Sequence, residues 1–155
     1  MRKLYFLPLL LLFTACEEAS DCCNVVDTSL DIKYSDVNGG NWLNQQGLHE
    51  GNITVYFMKE GRKEKVHRGH LDTPKMFSIY RNASDQEILR LFPSDYIENG
   101  KSYTLIEFSA TDVDTVVCLF NTSNSSIIGK EVWYNGKSVW NIDQSSPRAI
   151  EIIKQ

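Results

Sequence analysis

The stretch EVWYNGKSVW, residues 131–140, limits the fold more than any other part of the chain. Asn135-Gly136 supplies the two positive-φ residues of a type I′ turn, whose twist matches that of paired antiparallel strands. The flanks EVWY and KSVW hold the β-branched and aromatic residues that strands favour. A two-residue turn here sets Trp133 opposite Ser138 and Val132 opposite Val139. Asn38-Gly39 and Asn99-Gly100 repeat the turn signal. Between these turns the apolar residues alternate. Ile53, Val55 and Phe57 interleave with Thr54, Tyr56 and Met58, while Thr104, Ile106 and Phe108 interleave with Tyr103, Leu105 and Glu107. Val113 to Phe120 is nearly continuous apolar sequence, as in a central strand.

Strands are therefore predicted near 29–34, 53–58, 63–67, 76–81, 87–92, 102–109, 113–120, 130–134, 137–141 and 148–153. Many short strands separated by turn signals imply an all-β chain, folded as an immunoglobulin-like antiparallel β-sandwich. One segment competes: Ser84-Asp85-Gln86-Glu87 fits a helix capping box, and Ile88, Leu89, Leu91 and Phe92 could line a short helix. Pro93 would end that helix within two turns, so the strand reading is preferred. No repeat and no strand–glycine-loop–helix unit for a nucleotide occurs.

The first residues read differently. Arg2 and Lys3 precede an apolar run from Leu4 to Phe13, broken only by Pro8. A bilayer span needs roughly 20 apolar residues. Residues 1–15 are therefore a secretory signal, outside the fold. Phe13-Thr14-Ala15-Cys16 resembles a bacterial lipobox. The resemblance implies cleavage before Cys16, diacylglycerol on its sulfur and an acyl chain such as palmitate on its nitrogen. Several acyl chains together make a stable membrane anchor. Residues 16–27 then form a lipidated tether and residues 28–155 the sandwich domain. About ten tether residues reach at most ~35 Å. Glu17 and Glu18 resemble the acidic surface-export signal of Bacteroidetes lipoproteins.

Without residues 1–15, which hold two cations and no anions, 14 basic and 20 acidic side chains remain, a net charge near −6. That balance excludes nucleic acid as a partner and electrostatic docking on anionic lipid. The lipid on Cys16 is the expected membrane contact. Around 140 residues can bury roughly two-thirds of their surface, enough for one core.

The lipobox, NGGNWLN at 38–44, ITVYFMKEG at 53–61, TDVDTVV at 111–117 and VWYNGKSVW at 132–140 together resemble small uncharacterised lipoproteins of Bacteroidetes. The resemblance implies a cell-envelope location, anchored to the outer membrane and facing periplasm or surface, and one immunoglobulin-like domain. It implies no activity and no catalytic residue.

With Cys16 assigned to lipid, Cys22, Cys23 and Cys118 remain. In an oxidising compartment a disulfide from Cys22 or Cys23 to Cys118 is the simplest pairing. Closing roughly 95 residues would stabilise by up to ~4–5 kcal/mol in the chain-entropy model. The alternative is a buried, unpaired Cys118. Adjacent cysteines lack zinc spacing, and His67 and His70 lie in a basic stretch read as a solvated loop, so neither metal nor cofactor is expected. There is no Gly-x-Ser-x-Gly, no Ser-x-x-Lys and no Cys–His context. Asp112 and Asp114 share one face at a strand entrance, where a solvated edge outweighs a calcium site. Asp114-Thr115-Val116 matches the short sequon that resembles a Bacteroidetes O-glycosylation site, with Thr115 the acceptor. Trp42, Trp133, Tyr134 and Trp140 are candidates for a sugar-stacking platform. Trp133 and Trp140 are expected on opposite faces of their hairpin, so at least one is core.

The expected role is non-enzymatic: binding a glycan or a protein, or accessory work at the outer membrane. The rivals are a pilus or adhesin subunit and, behind it, a hydrolase.

Overall fold

The computed structural model describes residues 25–123, 125–143 and 147–155. They form two β-sheets packed face to face, with one short helix at the end of the sandwich. The larger sheet contains β1 (Val25–Asp27), β3 (Thr54–Lys59), β4 (Arg62–Lys65), β7 (Lys101–Ser109), β8 (Asp112–Ser123), β9 (Ser126–Tyr134) and β10 (Lys137–Asn141). Its order is β1-β9-β8-β7-β3-β4, with β10 pairing the second half of β9. The smaller sheet contains β2 (Leu30–Ser35), β5 (Phe77–Arg81), β6 (Glu87–Leu91) and β11 (Ala149–Ile153), in the order β11-β2-β6-β5. Helix α1 spans Trp42–Gln45.

All pairings are antiparallel but two: β1 runs parallel to β9, and β11 parallel to β2. Both sheets are thus mixed, and the expected antiparallel sandwich carries one parallel pair near each chain end. Val25–Asp27, assigned to the tether by composition, instead form β1. All three residues are exposed, so no buried alternation marks the strand, which pairs with β9 through its backbone.

Period-two patterning builds the core. Leu30, Ile32 and Tyr34 of β2 and Leu89 and Leu91 of β6 meet Val55 and Phe57 of β3, Ile106 and Phe108 of β7, and Val116, Cys118 and Phe120 of β8. Burying each large apolar side chain contributes about 1.5–3 kcal/mol. The segment at 84–92 is a turn and a strand. Asn82 Oδ1 accepts from the backbone N–H groups of Ser84 and Gln86, both at 3.0 Å, and Asp85 takes φ 57°. That turn forms the β5–β6 hairpin and displaces the capping box.

The Asn135-Gly136 turn is as the sequence requires, with φ 47° and 79°. Ser138 pairs with Trp133, but Trp140, not Val139, stands opposite Val132. A bulge at Val139 shifts the register. Trp133 and Trp140 do face opposite ways, and the bulge is the reason. An unbroken ladder would set Trp140 opposite Glu131, on the Trp133 face. Asn38-Gly39 joins β2 to α1 and makes no hairpin. The helix itself had a sequence signal in Asn41, whose side chain caps it by accepting from the Asn44 N–H at 2.9 Å.

Candidate functional site

The structure scatters the four aromatic candidates. Trp42 and Trp140 are each 7 % exposed and Tyr134 is 4 % exposed, so these three belong to the core. Trp42 packs edge-on against Phe108 with ring centroids 5.2 Å apart. Trp140 lies under the Arg148 guanidinium, 4.8 Å from its ring centre. No sugar can stack on these three. Trp133 alone faces outward, half-buried, on the open side of the larger sheet.

On that side the register creates a row that the sequence does not display. Trp133 pairs with Val117, Val117 with Tyr103, and the next residue of β3 beyond the Phe57–Thr104 pair is Met58. Four side chains, Met58, Tyr103, Val117 and Trp133, therefore cross four adjacent strands in line. Tyr103 is 42 % exposed, and sequence reasoning missed it because it alternates with core residues like any outward strand position. Tyr103 and Trp133 sit two strands apart, about 9.5 Å, or close to two pyranose units along an extended saccharide.

Polar groups border the row. Lys101 Nζ sits 5.1 Å from the Trp133 ring centre. Beyond Leu105, Lys63 Nζ lies 3.8 Å over the Tyr56 ring and donates to Glu107 Oε2 at 2.8 Å, while the Tyr56 hydroxyl donates to Glu107 Oε1 at 3.2 Å. The hydrogen bond from Lys63 holds the Glu107 carboxyl below its ordinary range and raises the Lys63 ammonium in turn. Thr115, the glycosylation candidate, is half-buried on the same outer face, paired with Leu105 two residues from Val117.

A cleft of about 350 Å³ opens at the opposite margin, between β2, β6, β10 and the segment before β11. Its charges are already matched. Arg90 donates to both Asp31 oxygens at 2.7 and 2.8 Å, and Tyr80 donates to Asp31 at 2.8 Å. Burial alone would raise the Asp31 carboxyl, but these contacts leave it lowered. Arg148 donates to Asp27 at 3.0 Å and to the Ser29 carbonyl at 2.9 Å. Its guanidinium fits against β9 because residue 129 is glycine; a Cβ there would meet Arg148 Nε at 3.1 Å. These pairs staple β1 and β2 to the last strands and offer a ligand little unmatched charge.

Cys16, Cys22 and Cys23 lie outside the described residues. Cys118 is 2 % exposed, its thiol pushed up to about 12 by burial and only partly offset by the Arg148 charge. Val25 aligns through Ser126 with Ser123, five residues along β8 from Cys118, roughly 17 Å away. A bridge from Cys22 or Cys23 has to span back from that point. Cys118 is expected to resist alkylation in the native protein and to react fully in denaturant without reductant. Protection that persists in denaturant until reductant is added would establish the disulfide instead. Among the described residues no three histidine, cysteine or acidic side chains gather as metal ligands. No protein-family model, curated protein or solved structure matches the chain.

Proposed function

We propose that this chain is a saccharide-binding lipoprotein of the cell envelope, anchored through lipid on Cys16 and carrying no reaction of its own. The observation that supports it is the in-line row of Met58, Tyr103, Val117 and Trp133 on the open face of the larger sheet. A narrow apolar row suits the C–H faces of sugar rings, and Lys101, Glu131 and Thr115 beside it suit their hydroxyls. A protein partner would ask for a wider desolvated patch. A glycan on Thr115 would cover this row, so modification of Thr115 and ligand binding exclude each other.

The frame for this face is read as immunoglobulin-like. In one sheet β2, β6 and β5 follow the order B-E-D, and in the other β8, β7, β3 and β4 follow G-F-C-C′, with the same hairpins and crossings. β9 and β10 then extend the second sheet, and β11 takes the edge beside β2.

Titration of the protein with soluble polysaccharides and cell-surface oligosaccharides, read by calorimetry, tests the proposal. Tyr103→Ala and Trp133→Ala should each weaken binding about tenfold or more, with melting temperatures near that of the wild type. Absence of binding across the panel, or binding that survives both changes together, would overturn it.

A further inference from the structure

Lys154 follows β11 and reaches across the sandwich to the other sheet. Its Nζ lies 2.6 Å from Asp112 Oδ1 and 2.7 Å from Asp114 Oδ2. The Lys154 side chain is 12 % exposed and that of Asp114 is 5 % exposed. The rings of Trp42 and Phe108 stand over the amine, at 5.1 and 4.8 Å from their centres. Asp114 is gripped from its other sides. Its Oδ1 accepts from Asn135 Nδ2 at 2.7 Å, and its Oδ2 accepts from the Tyr134 hydroxyl. Tyr134 Oη is also 3.0 Å from Tyr34 Oη. Tyr134 has one proton, which goes to the carboxylate, so the Tyr34 hydroxyl supplies the proton between the two phenols. A single ion pair would neutralise this amine. Here two carboxylates flank it, and one has donors on both oxygens, inside an aromatic box.

We propose that Lys154 and Asp114 condense into an intramolecular amide that ties the C-terminal segment to β8. Asp112 accepts a proton from the Lys154 ammonium, freeing the nitrogen lone pair. Nζ attacks Asp114 Cγ, and a C–N bond forms. Negative charge develops on Oδ1, where Asn135 Nδ2 already donates, as an oxyanion requires. The Cγ–Oδ2 bond breaks, and Oδ2 leaves as water with the two protons lost by the nitrogen. Asp112 and Tyr134 relay these protons and end unchanged. Nothing is oxidised or reduced, and one ammonium and one carboxylate become one amide and one water.

Four features favour the step. Reactive groups held in contact behave as though present at roughly 10⁵–10⁸ M, which removes much of the entropic barrier to the attack. A buried ion pair keeps a desolvation penalty that an amide relieves. The Tyr134 hydroxyl, already bonded to Oδ2, passes its proton to the departing oxygen and regains one from the nitrogen. Burial, which raises this phenol far above its ordinary range, keeps the phenolate from persisting. Asp112, 34 % exposed, lies on the side open to solvent and gives the water a way out.

Tryptic mapping of the full-length chain is the test. Trypsin would leave Ser102–Lys130 as one peptide and would cut after Lys154 unless its amine is acylated. The expected product joins residues 102–130 to residues 149–155 and is lighter than the two together by one water, about 18 Da, with fragmentation placing the branch at Asp114. Lys154→Arg keeps a cation but no competent amine, and should give only linear peptides. Asp112→Asn should slow the appearance of the branch after refolding. Only linear peptides from folded wild-type protein after prolonged incubation would overturn the proposal. A branch at Asp112 would overturn its assignment of roles.

Discussion

Above pH 10 the domain is expected to lose about 4 kcal/mol of stability per pH unit. Three buried acids set this slope: Tyr34, Tyr134 and Cys118. Burial is the leading cause for each, because the charged form has no water around it. Their folded pKa values lie above the unfolded ones. Each therefore contributes a stability fully present below its unfolded pKa and lost as pH rises toward its folded pKa. Each loss runs at about 1.4 kcal/mol per pH unit, and a domain of this kind has only about 5–15 kcal/mol in total. Urea melts between pH 8 and 12 should show the decline. Tyr34→Phe keeps the ring and removes one titrating group, so it should lower the slope by about a third. Phenolate absorbance from every tyrosine while the fold stays intact would contradict the argument.

Trp42→Ala should destabilise by about 3–5 kcal/mol and lower the melting temperature by roughly 10–20 °C. Trp42 fills the end of the sandwich, with its ring 6.0 Å from Tyr34 and 5.2 Å from Phe108, and with Lys154 over it. Its loss opens a cavity beside Lys154 and removes one of the two buried side chains of α1, leaving Leu43. Trp133→Ala removes a ring of equal size from the open face and should cost under about 1 kcal/mol. Thermal melts of the two variants separate a packing tryptophan from one on the open face. Equal losses, or a larger loss at Trp133, would show that the row on the open face is part of the core.

The strands were legible because their alternation is local. Ile53 to Met58 and Thr104 to Phe108 state in sequence which residues face inward. The Asn135-Gly136 turn was equally plain, since positive φ at two successive residues is a local demand. The Val139 bulge was not, because an extra residue in one strand appears only against its partner. The row from Met58 to Trp133 depends on the registers of four strands, and each register is a long-range pairing. β1 left no trace because its three residues are exposed and show no buried alternation; backbone bonds to β9 and the Asp27–Arg148 ion pair hold them. Lys154 was passed over for a related reason. A lone lysine at a chain end resembles any solvated cation until β11 docks beside β2 and brings it to Asp112 and Asp114. Trp42 was within reach, since Asn41 before Trp42-Leu43 is an N-cap signal that tight-turn reasoning overlooked.

Tension at the N-terminus would enter the protein through β1. Among the described residues Val25, Val26 and Asp27 pair there, all of them exposed, and their partner β9 also bears Trp133. A pull on β1 would run along that sheet and, through the Asp27–Arg148 ion pair, into the segment before β11. The short parallel pairing and that ion pair would give way first, releasing three residues, about 10 Å of chain. β1 is thus placed to act as a mechanical fuse that spares the rest of the fold.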